Sequence, residues 1–301
     1  MFSIQKTAQL TGHNASVFAL CQGLEKDTFL SGAGDGWMVE WSVQNPDMGR
    51  LLAKTDTQIF SLSGLSGQQK LIAGDMNGGV HWVDLLHPEN TRGIAHHGKG
   101  VFGILQTGDF VFTIGGDGIL TRWSASEGRS IESLHLSNQS LRGMDYSEAR
   151  NELAIGSSDN NIYLLDAGTF EIRQTLANAH ANSVFAVRYH SNGQLLVSGG
   201  RDAHLKAWIL EDMGVPLFNQ PAHWFTINDI CFPANSSWFA TASRDKTIKI
   251  WDAQSFELLK VLDTVRDGGH VNSVNALLYL EESGVLVSCS DDRSIILWAA
   301  E

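Results

Sequence analysis

Hydroxyl, imidazole and carboxylate side chains recur in a fixed order along this chain, and together they are the parts of a nucleophilic triad. The sets are His13, Ser31 and Asp35; His97, Thr113 and Asp117; His180, Ser198 and Asp202; His223, Thr241 and Asp245; and His270, Ser288 and Asp292. Six residues after each Asp stands a Trp: Trp41, Trp123, Trp208, Trp251 and Trp298. Four of the His precede their Trp by 28 residues and His97 precedes Trp123 by 26. A hydrolase needs one such site, whereas this chain repeats it five times with an indole as fourth member. An indole N–H only donates, and once buried it needs an acceptor. A chain running from Trp to Ser or Thr, to His, to Asp satisfies every member, and a fully satisfied polar network fixes a core. These residues are therefore read as structural, and no catalytic residue is assigned.

Other chemistries find little support. Five of the eleven His belong to the repeated sets, and the adjacent pair His96 and His97 has no Cys or carboxylate at metal-ligand spacing, so no metal is expected. Gly115 to Gly118 lies between strand-like runs, without the strand-to-helix context of a phosphate loop, so no cofactor is expected either. The formal charge of −12 weighs against nucleic acid, which asks for a basic footprint. Cys21, Cys231 and Cys289 all fall in strand-like runs and cannot all pair with one another, which suits reduced thiols in a cytosolic protein. Residues 1–10 carry no apolar core of signal-peptide length, and no run approaches a membrane span, so neither secretion nor insertion is expected.

The sets are positioned by a recurring unit of short strands. Its clearest copy runs from His223 to Trp251, with apolar runs at Ile227–Phe232 and Trp238–Ala242, turns at Pro233–Ser236 and Arg244–Lys246, and an alternating run at Thr247–Trp251. A fourth run, Glu257–Leu262, completes a four-stranded antiparallel meander, which cannot bury both its faces alone. Anchors at Trp41, Trp82, Trp123, Leu165, Trp208, Trp251 and Trp298 give seven copies at steps of 41 to 47 residues. The copies run 11–55, 56–96, 97–136, 137–178, 179–221, 222–264, and 265–301 together with 1–10. The residues before His13 have the length and alternation of the strand missing from the last copy. Asp75 lies seven before Trp82, as if its turn held one extra residue. The second copy, with Thr55 and Leu71, and the fourth, with Ser137, Ile155 and Leu165, lack the full polar set.

The period, the Gly-His opening at Thr11 to His13 and the closing Trp-Asp of Ile250 to Asp252 resemble WD40 repeats across essentially the whole chain. The resemblance implies an all-β fold, a seven-bladed β-propeller of four-stranded blades around a central channel, closed by the N-terminal strand pairing into the last blade. It also places the residue five after each opening position at the channel mouth: Phe18, Phe60, Phe102, Arg142, Phe185, Asn228 and Asn275. Around that mouth it places the residue before each turn Asp: Gly34, Gly74, Gly116, Ser158, Arg201, Arg244 and Asp291. Four Phe about one opening exceed what blade packing needs, and a concentrated apolar patch marks a binding surface. The expected function is a non-catalytic scaffold that binds a protein or peptide segment on this face. The alternative is a small-ligand receptor or enzyme using the channel, for which Asp291 is the lone expected carboxylate. Trp224 would extend the aromatic surface, and the loop Asp263–Gly269, four residues longer than its counterparts, is a further candidate contact.

Overall fold

The computed structural model describes residues 3–65, 67–234 and 236–300. Met1, Phe2 and Glu301, assigned above to the last repeat, and Asn235 of the expected 233–236 turn lie outside the described residues. Seven four-stranded antiparallel sheets follow one another along the chain, and in the first six the strands pair in sequence order. The seventh takes three strands from Val274–Leu280, Val285–Ser290 and Ile295–Ala300, and its outermost from Ile4–Leu10. Ile4 pairs with Ala300 and Leu10 with Ile295, so the two ends of the chain close one blade.

The inner strands of neighbouring blades pack against one another around the full circle, the first against the last. Seven apolar clusters lie between the blades, one at each junction. That arrangement follows from strands whose two faces are both apolar: each face is buried only by the next sheet. Because strands alternate in direction, loops from second to third strand and from one blade to the next emerge on one face, the top face. The hairpins between first and second and between third and fourth strands emerge on the other.

All five polar sets are assembled. In blade 5, Trp208 Nε1 donates to Ser198 Oγ at 2.9 Å, Ser198 Oγ lies 2.8 Å from His180 Nε2, and His180 Nδ1 lies 3.0 Å from Asp202. Blades 1, 3, 6 and 7 repeat the chain with Trp41, Trp123, Trp251 and Trp298. Burial pulls the His13, His97, His180 and His223 imidazoles down, against the nearby carboxylate in each case. We therefore take Nδ1–H as the donor to Asp and Nε2 as the acceptor from Ser or Thr.

Blade 2 departs from the expected register. Ile59 pairs with Asp75 as Val17 pairs with Ala33 in blade 1, and Leu71 pairs with Val83 as Phe29 pairs with Trp41. The counterpart of Trp41 is thus Val83, the counterpart of Asp35 is Asn77, and the Ser31 position holds Ala73 rather than Leu71. The turn has no extra residue. Trp82, one position early, lies on the opposite face of the sheet, where it meets Trp123 at 6.1 Å between ring centroids. Its indole N–H is buried and has no partner among the described residues. Asp75 instead accepts from Asn77 N, Gly79 N and His81 Nε2, the last at 2.7 Å. In blade 4 the Asp is held differently: Ser137 Oγ and Tyr163 Oη donate to Asp159 at 2.5 and 2.6 Å.

These contrasts give a paired test. Trp82→Phe is expected to leave stability within about 1 kcal/mol of the parent, because it removes a donor that is already unpartnered. Trp208→Phe is expected to cost roughly 1–3 kcal/mol, since it strips a donor from a buried hydroxyl. Equal losses for the two in chemical denaturation would refute the pairing of Leu71 with Val83 and restore Trp82 as the anchor of its blade.

Candidate functional site

The channel mouth is built by a backbone irregularity repeated seven times. Each inner strand shifts register one residue after its first: between Val17 and Ala19, Ile59 and Ser61, Val101 and Gly103, Leu141 and Gly143, Val184 and Ala186, Ile227 and Asp229, and Val274 and Ala276. The bulged residue is the one the spacing singled out, and a bulge re-aims its side chain away from the pleat. All seven side chains line one cavity of about 200 Å³.

Five of the seven form a continuous arc. Phe18 meets Phe60 edge to face at 5.1 Å, and Phe60 stacks on Phe102 at 5.6 Å. The Arg142 guanidinium lies over Phe102 at 4.3 Å and over Phe185 at 5.1 Å, and its Nε donates to Ser158 Oγ. Burial, then the charge of Arg201, pulls the Arg142 guanidinium down from its usual range. Flat π faces on both sides offset part of that cost. The remaining two are spent on the ring itself: Asn228 Nδ2 donates to Ser273 Oγ and Val274 O, and Asn275 Nδ2 donates to Val17 O and Asp291 Oδ1. Asn228 and Asn275 therefore stitch blade 6 to blade 7 and blade 7 to blade 1.

Around the mouth, Gly34, Gly116, Ser158, Arg201, Arg244 and Asp291 each donate a backbone N–H to the loop entering the same blade, at 2.8 to 3.0 Å. In blade 2 that bond comes from Met76, to Gln58 O at 2.9 Å, so Met76 replaces Gly74 on the rim and the sector of blades 1 to 3 is more apolar than the sequence suggested. Gly74 lies back in the strand, paired with Ser61. Arg201 and Arg244 are exposed. Trp224 is 87% exposed, while the loop at 263–269 folds into a short helix, Thr264–Asp267, tied down by Lys6 Nζ to Gly268 O and by Lys260 to Asp267.

Two charged residues at the mouth were not singled out from the sequence. Asp229 follows the bulge where the other inner strands have Ala19, Ser61, Gly103, Gly143, Ala186 and Ala276, and it accepts from Arg188 Nη2 at 2.7 Å and from Leu277 N at 2.9 Å. Arg188 also lines a second cavity of about 490 Å³ that opens on the opposite face. The ion pair thus stands between two compartments of the channel. Burial pushes the Asp229 carboxyl up, against the pull of Arg188. The one available signal was local: a carboxylate at a position otherwise held by small residues. The thiols of Cys21 and Cys231, which also line the lower compartment, are pushed up by burial to about 12. His96, weighed above as a metal ligand, contacts Thr121 Oγ1 at 2.8 Å and stacks edge-on to Trp123.

The family model for the WD domain, G-beta repeat, matches residues 170–208, 214–252 and 258–299. Each match starts near the outermost strand of one blade and ends near the anchor Trp of the next, the offset that leaves Ile4–Leu10 to complete the last blade. The chain carries WD40 repeats and folds as a seven-bladed β-propeller. The WD40 propeller domain of Doa1, a crystal structure, superposes with a TM-score of 0.84 at 18% identity, covering 99% of this chain and 97% of that one. Protein tipD of Dictyostelium discoideum is 21% identical over 293 residues, 96% of this chain and 48% of that protein. Nuclear distribution protein PAC1 of Candida tropicalis is 35% identical over 121 residues, 39% of this chain and 24% of that protein. Actin-interacting protein 1 of Drosophila melanogaster is 28% identical over 168 residues, 53% of this chain and 27% of that protein. This WD40 propeller spans about a quarter to a half of the length of these curated relatives.

Proposed function

We propose that this propeller is a non-catalytic interaction module that binds a protein or peptide segment on its top face, with an aromatic or aliphatic side chain entering the mouth. The observation that carries this reading is the arc of Phe18, Phe60, Phe102, Arg142 and Phe185 about one small cavity. A volume of about 200 Å³ suits one ring, since an apolar cavity of about 150 Å³ accepts benzene, whereas pockets for whole small ligands start near 300 Å³. The rings present π faces that also suit a stacked guanidinium. A relative whose name records interaction with actin supports the class of function and leaves the partner of this chain unnamed.

An enzyme or ligand receptor in the channel is less well supported. Asp229 and Asp291 are the carboxylates nearest the mouth, and both are engaged, by Arg188 and by Asn275. Among the described residues, no imidazole or thiol lines the mouth beside either of them to complete an acid–base or nucleophilic pair.

Phe60→Ala combined with Phe185→Ala removes the ring between Phe18 and Phe102 and the ring that ends the arc beyond Arg142, without touching a blade-to-blade cluster. The double variant is expected to keep its melting temperature within a few degrees and to lose partner capture by roughly tenfold or more, as truncation of interface anchors does. Unchanged capture by the folded variant would sink this reading.

A further inference from the structure

The mouth sets where a partner's anchor goes; the charges of the same face specify what surrounds that anchor. This chain carries 21 Lys and Arg against 33 Asp and Glu. Most of the cations are used internally, in ion pairs or in bonds to carbonyl oxygens, as with Lys206 to Ala179 O and Lys249 to Ala222 O. Six are exposed with no ion pair or side-chain hydrogen bond among the described residues: Lys54, Lys99, Arg201, Arg244, Lys246 and Arg293. All six lie on top-face loops or at a strand end leading into one. Carboxylates without an ion pair collect on the opposite rim, in the hairpins holding Glu25, Asp27, Asp47, Asp109, Glu148 and Glu171. The top-face turn Asp residues are occupied by imidazole and backbone donors, which leaves Asp56 as an exposed, unengaged carboxylate there.

Four of the six free cations fall on blades 5 to 7, and apolar side chains are fixed beside them. Trp224 N donates to Asp245 Oδ2 at 3.0 Å, which holds Trp224 against the turn carrying Arg244 and Lys246. Val271 N donates to Asp292 Oδ2 at 3.0 Å, which holds Val271 against the turn carrying Arg293. Trp224, Phe225 and Val271 are 87%, 58% and 57% exposed. At the matching positions after the opening residue, blades 1 to 5 present Asn14, Asp56, Gly98, Asn138 and Ala181.

We infer that the segment bound by the top face is acidic, with Asp or Glu beside its apolar residues. Its carboxylates meet Arg201, Arg244, Lys246 and Arg293, and its flanking apolar side chains lie on Trp224, Phe225 and Val271. The inference rests on the reading that this face takes a protein segment. The net charge of −12 does not oppose it, because charges on the far rim lie well beyond the roughly 8 Å over which physiological salt screens them. Instead the separation of signs orients an acidic partner toward the top and away from the hairpin rim.

The test is selection of a randomised displayed peptide library on the immobilised propeller, followed by affinities of the selected peptides at low and physiological salt. Selected sequences are expected to be enriched in Asp and Glu around an aromatic or aliphatic residue. Binding should weaken by about tenfold in Arg244→Glu, Lys246→Glu, Arg293→Glu and weaken with salt, as a set of exposed ion pairs does. The mouth variant Phe60→Ala, Phe185→Ala should lose binding at both salt concentrations. Selected peptides without acidic enrichment, or unaffected by the charge-reversed variant, would overturn this inference while leaving the mouth reading intact. Acidic peptides that ignore the mouth variant would overturn the mouth reading alone. Selection of no peptide, or displacement of every peptide by a single-stranded oligo-dT, would count against both.

Discussion

Lowering the pH from 7 to 5 is expected to reduce the melting temperature by on the order of 10 °C, with the onset near the ordinary titration of histidine. The reason is the set of buried imidazoles. In His13, His97, His180 and His223 burial disfavours the protonated ring, so the folded pKa lies below the value of about 6.5 in an unfolded chain. The unfolded state then binds protons that the native state refuses, and stability falls as pH drops below that value. Each such ring contributes up to about 1.4 kcal/mol per pH unit until its own folded pKa is reached. Below pH 4 a second loss begins. At Asp202 burial is outweighed by donors from His180, Ala181 and His204, which hold the carboxyl at about 2. Stability that depends on that charge is present above the unfolded carboxylate range and disappears as pH falls toward 2. Replacing one ring, as in His180→Gln, should lower stability at pH 7 and flatten the slope between pH 7 and 5 by about one proton. A melting temperature flat from pH 7 to 5 would mean that these rings do not sit neutral in the folded network.

Much of this architecture was legible because the polar sets demand fixed spacing. A Trp ten residues after its Ser or Thr can only reach it when both sit on one face of paired strands, and in blade 1 Ser31 pairs with Val39 while Phe29 pairs with Trp41. Wherever the set is present, the register is determined by hydrogen bonds. Blade 2 lacks the set, and His81, Trp82 and Val83 offer adjacent residues that each could face the core. Periodicity of two cannot choose between neighbours when both faces are apolar, so Trp82 drew the alignment one residue early and brought Gly74 to the rim in place of Met76. The mouth was legible for the same reason as the anchors: the bulge sits a fixed distance after the opening residue, wherever that residue is His, Thr or Ser. The Arg188 and Asp229 pair was not, because its partners are 41 residues apart and meet only where the inner strands of blades 5 and 6 pack together. Free cations on one face were also hidden, since which Lys and Arg are spent internally depends on contacts between blades.

Removal of the residues up to Leu10 is expected to be the most damaging change that spares every polar set. Ile4 and Leu10 are 0% and 2% exposed, and they belong to two different clusters, one shared with Trp238 and Trp298, the other with Val17 and Trp41. Loss of two such side chains alone costs roughly 4–10 kcal/mol at 2–5 each. The deletion also strips Ile295–Ala300 of the outer of its two strand partners, leaving an unpaired apolar edge of the kind that joins to other chains. Two further ties disappear, since Lys260 Nζ donates to Ile4 O and Lys6 Nζ donates to Gly268 O. The first and last strands lie at opposite ends of the sequence, so the seal is a long-range contact whose burial must offset the loop-closure entropy of bringing them together. The truncated chain is expected to melt at least 10 °C lower and to associate at concentrations where the intact chain does not, both read by scanning calorimetry with light scattering. Adding back a synthetic peptide of residues 3–10 should recover part of the loss, as a ligand that binds only the folded ring must. A truncated chain with the parent melting temperature would show that the other three strands seal the ring unaided, and that the pairing of Ile4–Leu10 with Ile295–Ala300 contributes nothing to closure.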